Sequence, residues 1–185
     1  VLGYTEDGTP IYAGDNSTEL DSHDLRAQGA GESLDDVLRQ QTSVFTMENP
    51  TNPGIAVNVR GFEGSGRVDV AVGGVPQNFR TTGHAAQGYA YVDENLLSSI
   101  DITRGAVVGT GGNGIAGSVN FQTISPEDLV EDGNGFGSIF RYGYSRNGGV
   151  ASGMVGTAYM SEQFDALLAV SGRDADDFED GAGAV

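Results

Sequence analysis

Where the chain shows a regular pattern, apolar residues recur mostly at every second position, and helical spacing is confined to short stretches. Ile55, Val57 and Val59 alternate with Ala56, Asn58 and Arg60, and short strands are also predicted over Val68–Val72, Ile100–Thr103 and Ser118–Thr123. Turn residues separate these runs: Asn49 to Gly54 with two prolines, Gly64-Ser65-Gly66, and Gly73-Gly74 followed by Pro76. The segment Gln77–Gly88 follows neither period. A helix is predicted over Leu34–Gln41, where Ser33 can cap, Asp35 and Asp36 suit the positive N-terminal end, and Leu34, Val37 and Leu38 share a face. A weaker helix is predicted over Ser22–Gln28, ended by Gly29, and Asp93 begins a short one containing Leu96 and Leu97. Residues 1–20, punctuated by Gly3, Gly8, Pro10 and Gly14, read as an irregular lead-in. Short strands and helices interleaved with glycine loops predict an α+β module.

From Phe136 the pattern changes. Phe136, Phe140, Tyr142 and Tyr144 alternate with Gly137, Ile139, Arg141 and Gly143, the turn Asn147-Gly148-Gly149 follows, and Val150–Met160 and Phe164–Ser171 alternate in turn. This predicts a three-stranded antiparallel meander. Each strand has about the length that crosses a bilayer at a tilt, with aromatic residues near the strand ends. The pattern fits a barrel wall and equally fits three strands of a soluble sandwich. Asp174–Gly183, acidic and glycine-rich, reads as a loop leaving the third strand.

Composition narrows the function classes. The 185 residues carry 26 acidic and 9 basic side chains, a formal charge of −17, and every base is an arginine. Such a surface repels a phosphate backbone, which argues against nucleic-acid binding. There is no cysteine, so neither a disulfide framework nor a thiolate metal site exists in this chain. The 30 glycines and the low aromatic content agree with many turns and few helices.

Motifs that suggest chemistry fail on context. Gly109 to Gly114 has the spacing of a dinucleotide loop, but the chain continues into the alternating Ser118-Val119-Asn120-Phe121, whereas the pyrophosphate needs a helix N-terminus. No nucleophile elbow is present and only two histidines are available, so the chain reads as a non-enzyme. In Asp174 to Gly181, Phe178 interrupts the alternating oxygens a calcium loop needs. Asn16-Ser17-Thr18 forms a chance sequon, and His23 reads as a solvated surface residue among acids. His84 lies in the unpatterned, glycine-flanked segment, where loops on rigid scaffolds concentrate binding residues. By itself it reads as an ordinary exposed loop histidine.

Ser33 to Leu38, Val57-Asn58-Val59-Arg60-Gly61-Phe62, Gly74-Val75-Pro76-Gln77, Tyr91-Val92-Asp93, Ile100 to Gly105 and Gly114 to Thr123 together resemble the plug domain of TonB-dependent outer-membrane receptors of Gram-negative bacteria. Arg67-Val68, Thr82-Gly83-His84 and Phe121 to Val130 resemble the haem and haemophore receptors within that family. The resemblance implies residues 1–32 as lead-in, 33–130 as an α+β plug, and 131–185 as about three first strands of a 22-stranded β-barrel with a plugged lumen, truncated here. It implies haem as transported ligand, His84 as an axial ligand to haem iron, Tyr89 and Tyr91 as further ligand contacts, and Arg60 and Arg104 as plug-barrel contacts facing wall carboxylates. TonB, a haemophore or haemoprotein, and outer-membrane lipid are the implied partners. The chain departs from the family at Gly73-Gly74, commonly Asp-Gly, and at Gly105-Ala106, commonly Gly-Pro. No TonB box is evident, and that segment is expected before Val1. Import of a ferric siderophore, cobalamin or glycan by the same architecture, and a soluble acidic binding module, are the alternatives.

Overall fold

A computed structural model of the chain describes residues 3–4, 10–11, 16–27, 33–49, 52–64, 66–77, 89–106, 114–130, 134–145 and 150–174. Two short strands, β1 (Gly3–Tyr4) and β2 (Pro10–Ile11), pair with each other. β3 (Ser17–Leu20) then joins a five-stranded sheet in the order β3-β10-β11-β7-β8, where β7 is Val68–Val72, β8 Val75–Pro76, β10 Leu97–Arg104 and β11 Gly117–Thr123. β11 pairs parallel with β7 and antiparallel with β10. A second sheet is built on β5 (Asn52–Val59), flanked by β4 (Val44–Asn49), β6 (Phe62–Glu63) and β9 (Tyr89–Ala90).

The predicted helices are shorter than expected. α1 is Asp24–Ala27, and α2 is Leu34–Arg39. Ser33 forms a capping box with Asp36, its hydroxyl accepting the Asp36 N–H and its own N–H donating to Asp36 Oδ2. Leu34, Val37 and Leu38 are buried on one face, as their spacing predicts. The segment Asp93 begins is a 3-10 turn, Glu94–Leu96, with Asp93 Oδ1 accepting the Asn95 N–H.

Two of the longer strands, β3 and β4, were not legible in the pattern, nor were the two-residue strands β1, β2, β6, β8 and β9. β3 lies inside the lead-in read as irregular, because Ser17-Thr18-Glu19-Leu20 has a single apolar residue, Leu20, to bury. It becomes a strand through its ladder with β10. β4 hides because its alternation is inverted: Thr46 is buried and Phe45 exposed. Thr46 is buried because Asp35 accepts its hydroxyl hydrogen, while Arg39 bonds the same Asp35 at 2.7 Å and donates to the Thr46 carbonyl at 3.1 Å. This polar lock ties α2 to the sheet. Asp35→Ala leaves a buried hydroxyl without its acceptor and is expected to lower unfolding stability by about 1–3 kcal/mol, read as a shift in urea midpoint.

The core lies between the sheets. Leu20, Ile100, Phe121 and Val72 lie on one row of the five-stranded sheet, and Ile102, Val119 and Val70 lie on the next. They pack with Leu38, Val57, Val59 and Leu97. The opposite face of that sheet is polar, with Ser17, Thr103, Ser118 and Asp69 in register and Glu19, Asp101 and Asn120 beside them. Between β7 and β8, Gly73 and Gly74 both have positive φ, 57° and 77°, as a type I′ hairpin turn requires. The departure from Asp-Gly therefore preserves the turn.

β12 (Gly135–Ser145), β13 (Val150–Met160) and β14 (Asp165–Asp174) form the expected antiparallel meander. Phe136, Phe140, Tyr142, Tyr144, Val155, Leu168 and Val170 are exposed on one face, whereas Ser152, Met154 and Ala158 are buried on the other. Aromatic rings mark both ends of the exposed face. Phe136, Tyr159 and Phe164 cluster at one end, with successive centroids 4.8 and 5.7 Å apart, and Tyr142 and Tyr144 lie at the other. At the ordinary strand rise, the band from Phe136 to Tyr144 is roughly 26 Å long.

Candidate functional site

β9 pairs with β5 at Ile55 and Ala56, and the fully buried Ala90 anchors it. This fixes the two predicted tyrosines: Tyr89 is half-buried, Tyr91 is exposed, and their ring centroids are 6.5 Å apart. Tyr91 also lines a cavity of about 280 Å³ with Val92, Asp93, Glu94 and, from β14, Arg173. Both acids there already serve backbone donors, Asp93 the Asn95 N–H at 2.9 Å and Glu94 the Leu34 N–H at 3.2 Å. His84 lies outside the described residues, as do the calcium-like stretch after Asp174 and most of the glycine run at 109–114. The chain leaves that run through Gly114 into β11, a strand, and not into a helix.

The two predicted arginines come together at the other end of β10. Arg104 is buried, and its Nε donates to the Thr42 carbonyl at 2.7 Å and its Nη1 to Thr18 Oγ1 at 2.8 Å. Arg60 is exposed, held at φ 54° with its N–H on the Ser43 carbonyl, and its Nη2 donates to Asn16 Oδ1 at 3.0 Å. Burial, and then the neighbouring Arg60 charge, lower the pKa of Arg104. Among the described residues neither guanidinium forms an ion pair. The remaining donors, Arg104 Nη2 and Arg60 Nε and Nη1, make no hydrogen bond among those residues.

A third arginine was not singled out by its pattern. Arg141 of β12 points to the side of the meander that faces the preceding module, and its Nη1 donates to the carbonyls of Asn95 and Leu97, the latter at 3.0 Å. Its signal in the sequence is a lone charge among glycine and aromatic residues. Four residues earlier on the same face of β12, Gly137 packs so closely against Leu129 that an added Cβ would collide with the Leu129 carbonyl. Together Arg141 and Gly137 join the meander to the preceding module.

Asp21, His23 and Asp24 place possible metal-ligand atoms within 4.8 Å of one another. Their arrangement has a simpler cause: Asp21 Oδ1 accepts the N–H groups of His23 and Asp24 and so caps α1. His23 is exposed, as predicted.

Asp69, half-buried on the polar sheet face, has its pKa raised by desolvation. A raised folded-state value means the fold disfavours the carboxylate, a cost present above the folded pKa and absent below the unfolded one. Asp69→Asn should therefore stabilise at neutral pH and lose its advantage in acid, as denaturant curves at both pH values would show.

Comparison with known proteins decides the family. The TonB-dependent Receptor Plug Domain family matches residues 4–129. The chain belongs to the TonB-dependent receptor plug family. Receptors of this family lie in the Gram-negative outer membrane and are transporters, not enzymes. Over 184 residues the chain is 26% identical to the heme transporter BhuA of Brucella ovis, covering 99% of this chain and 27% of that protein. It is 24% identical over 146 residues to the hemophilin receptor of Acinetobacter baumannii, covering 77% of this chain and 14% of that protein. Among solved structures, the hemophore receptor HasR of Serratia marcescens, in complex with its hemophore HasA and heme, superposes with a TM-score of 0.73 at 27% identity. That likeness covers 88% of this chain and 25% of HasR. The chain thus spans about a quarter or less of these relatives. The plug fold and the antiparallel strands that follow it agree with the architecture expected from the sequence.

Proposed function

We propose that this chain is the plug and first wall strands of an outer-membrane receptor that imports haem, with energy supplied through TonB. The observation that carries the reading is likeness along nearly the whole chain to a named heme transporter, joined by likeness to a receptor bound to hemophore and heme. Residues 33–130 act as the plug, 1–32 lead into it, and 131–185 begin the barrel. The plug gates the pore and touches ligand; no bond is made or broken. His84 serves as an axial ligand to haem iron through a neutral imidazole nitrogen, and Tyr89 and Tyr91 flank the same loop and contact the macrocycle. Haem arrives free or from a haemophore or haemoprotein.

Arg60 and Arg104 contact the barrel wall through the donors left over from their bonds within the plug, and wall carboxylates are the partners those charges call for. The exposed aromatic and aliphatic face of β12–β14 supports contact with outer-membrane lipid, since an apolar band flanked by aromatic rings suits that boundary. The complete receptor is expected in the membrane fraction, released only by detergent; recovery from the aqueous phase would favour a soluble acidic module instead.

The cargo is tested by growth with the receptor as sole importer. Growth on haem, and none on ferric siderophore as iron source, is the expected result. Growth on the siderophore, or uptake of cobalamin or a glycan but not haem, would replace haem as the cargo.

A further inference from the structure

The cavity beside Tyr91 has a basic residue on its far side. Arg173 lies near the end of β14, on the inner face of the meander, in register with the buried Ser152 and, one strand further, with Gly143. Two small residues beside a long one leave open space, and Tyr91, Val92, Asp93 and Glu94 of the plug close the other side of the cavity of about 280 Å³. Arg60, Arg104 and Arg141 donate to oxygens within the chain, and Arg39 is paired with Asp35. Arg173 makes neither a hydrogen bond nor an ion pair among the described residues. It is also the one base among the described residues that line the cavity.

A guanidinium at a cavity, with its donors unspent, suits an oxyanion, and a carboxylate matches its planar fork with two parallel hydrogen bonds. The other lining residues narrow the choice. Asp93 and Glu94 are each tied through one oxygen to backbone, at Asn95 and Leu34, but two carboxylates still repel a third anion. A free inorganic anion therefore binds poorly here. A carboxylate that carries apolar surface of its own can offset the repulsion, because Tyr91 and Val92 supply the matching contact. The volume falls just below the roughly 300–1,000 Å³ of pockets that enclose drug-sized ligands. The cavity thus takes a carboxylate-bearing arm and leaves the body of the ligand outside, beside the exposed ring of Tyr91.

We infer that Arg173 and Tyr91 form a carboxylate subsite that receives a propionate of the incoming haem, so that this wall strand shares in ligand recognition with the plug. Its position suits that role. Arg173 lies at the end of the meander that carries Tyr142 and Tyr144, away from the end where the chain enters from the plug. The plug side of the cavity begins one residue after β9, directly downstream of the segment that holds His84. The two contacts divide the ligand between them: the imidazole takes the iron, and the guanidinium takes a carboxylate at the rim. An off-axis contact of this kind limits rotation of the macrocycle about the iron bond. The subsite rests on the haem-import reading proposed above.

The test uses the complete receptor in detergent and two probes that differ only at the carboxylates, haem and haem dimethyl ester, each followed by absorbance titration. The wild-type receptor should bind haem about tenfold or more tighter than the ester, since esterification removes the charge that the guanidinium recognises. Arg173→Gln should weaken haem binding by about tenfold or more and leave ester binding within about twofold, so that the two probes bind alike. Arg173 is exposed, so the substitution leaves the fold in place and the ester reads any general damage to the site. Equal loss of both probes, or haem binding unchanged in Arg173→Gln, would overturn the subsite while leaving haem import standing. Failure of the wild-type receptor to bind haem at all would overturn the import reading, and the subsite with it.

Discussion

Replacing His84 with alanine in the complete receptor is expected to weaken haem binding at least tenfold, a loss of about 1.4 kcal/mol or more. The chemistry supports a large effect. An imidazole is a normal axial ligand to haem iron, and alanine offers no atom to replace it, so iron would lose one protein ligand while the apolar contacts to the ring remained. Absorbance titration reads both quantities, the affinity from the midpoint and the ligation from the change in the haem spectrum. Binding and uptake unchanged in both readouts would remove His84 from the site. Tyr91→Phe is a useful companion because Tyr91 is exposed and lines the cavity with Arg173. It keeps the ring and removes only the hydroxyl, so a packing contact predicts little change.

Phe121→Ala is expected to cost about 3–5 kcal/mol of unfolding stability, a large part of the roughly 5–15 kcal/mol that holds a typical domain together. Phe121 is fully buried, on the same row as Leu20, Ile100 and Val72, and belongs to the core that joins the two sheets. Removing its ring leaves a cavity bordered by strand residues whose backbones are fixed by ladders on both sides, so collapse is restricted. Denaturant unfolding of the receptor, followed by a probe in the plug, measures the loss. Phe136→Ala is the control. Phe136 is 81% exposed on the outer face of β12, and its loss should leave plug stability unchanged within about 0.5 kcal/mol.

Most of the plug was legible because its strands bury one face. Val57 and Val59, Ile100 and Ile102, and Val119 and Phe121 each announce a core side by alternation, and the caps at Ser33 and Asp93 follow from side-chain oxygens placed before a helical turn. Where that rule failed, polar bonding had replaced hydrophobic burial. Thr46 is buried by its bond to Asp35, and β3 is placed by its ladder with β10 and the Arg104 bond to Thr18, neither of which leaves a periodic trace. The candidate site divides in the same way. Arg60, Arg104, Tyr89 and Tyr91 were named from the family resemblance, but Asn16, Thr18, Thr42 and Arg141 meet their partners across separations no local pattern records.

The sequence by itself determined the two kinds of strand and the turns between them, since each depends on residue type at short spacing. In the meander, tertiary structure alone decided which face is inside. Phe121 and Phe136 are the same residue in the same kind of alternating strand, yet one is fully buried and the other faces outward. There alternation marks two faces but not which is covered. That depends on the element packed against it, and in β12–β14 the plug covers the face of glycine, serine and Arg141, leaving the aromatic face outside.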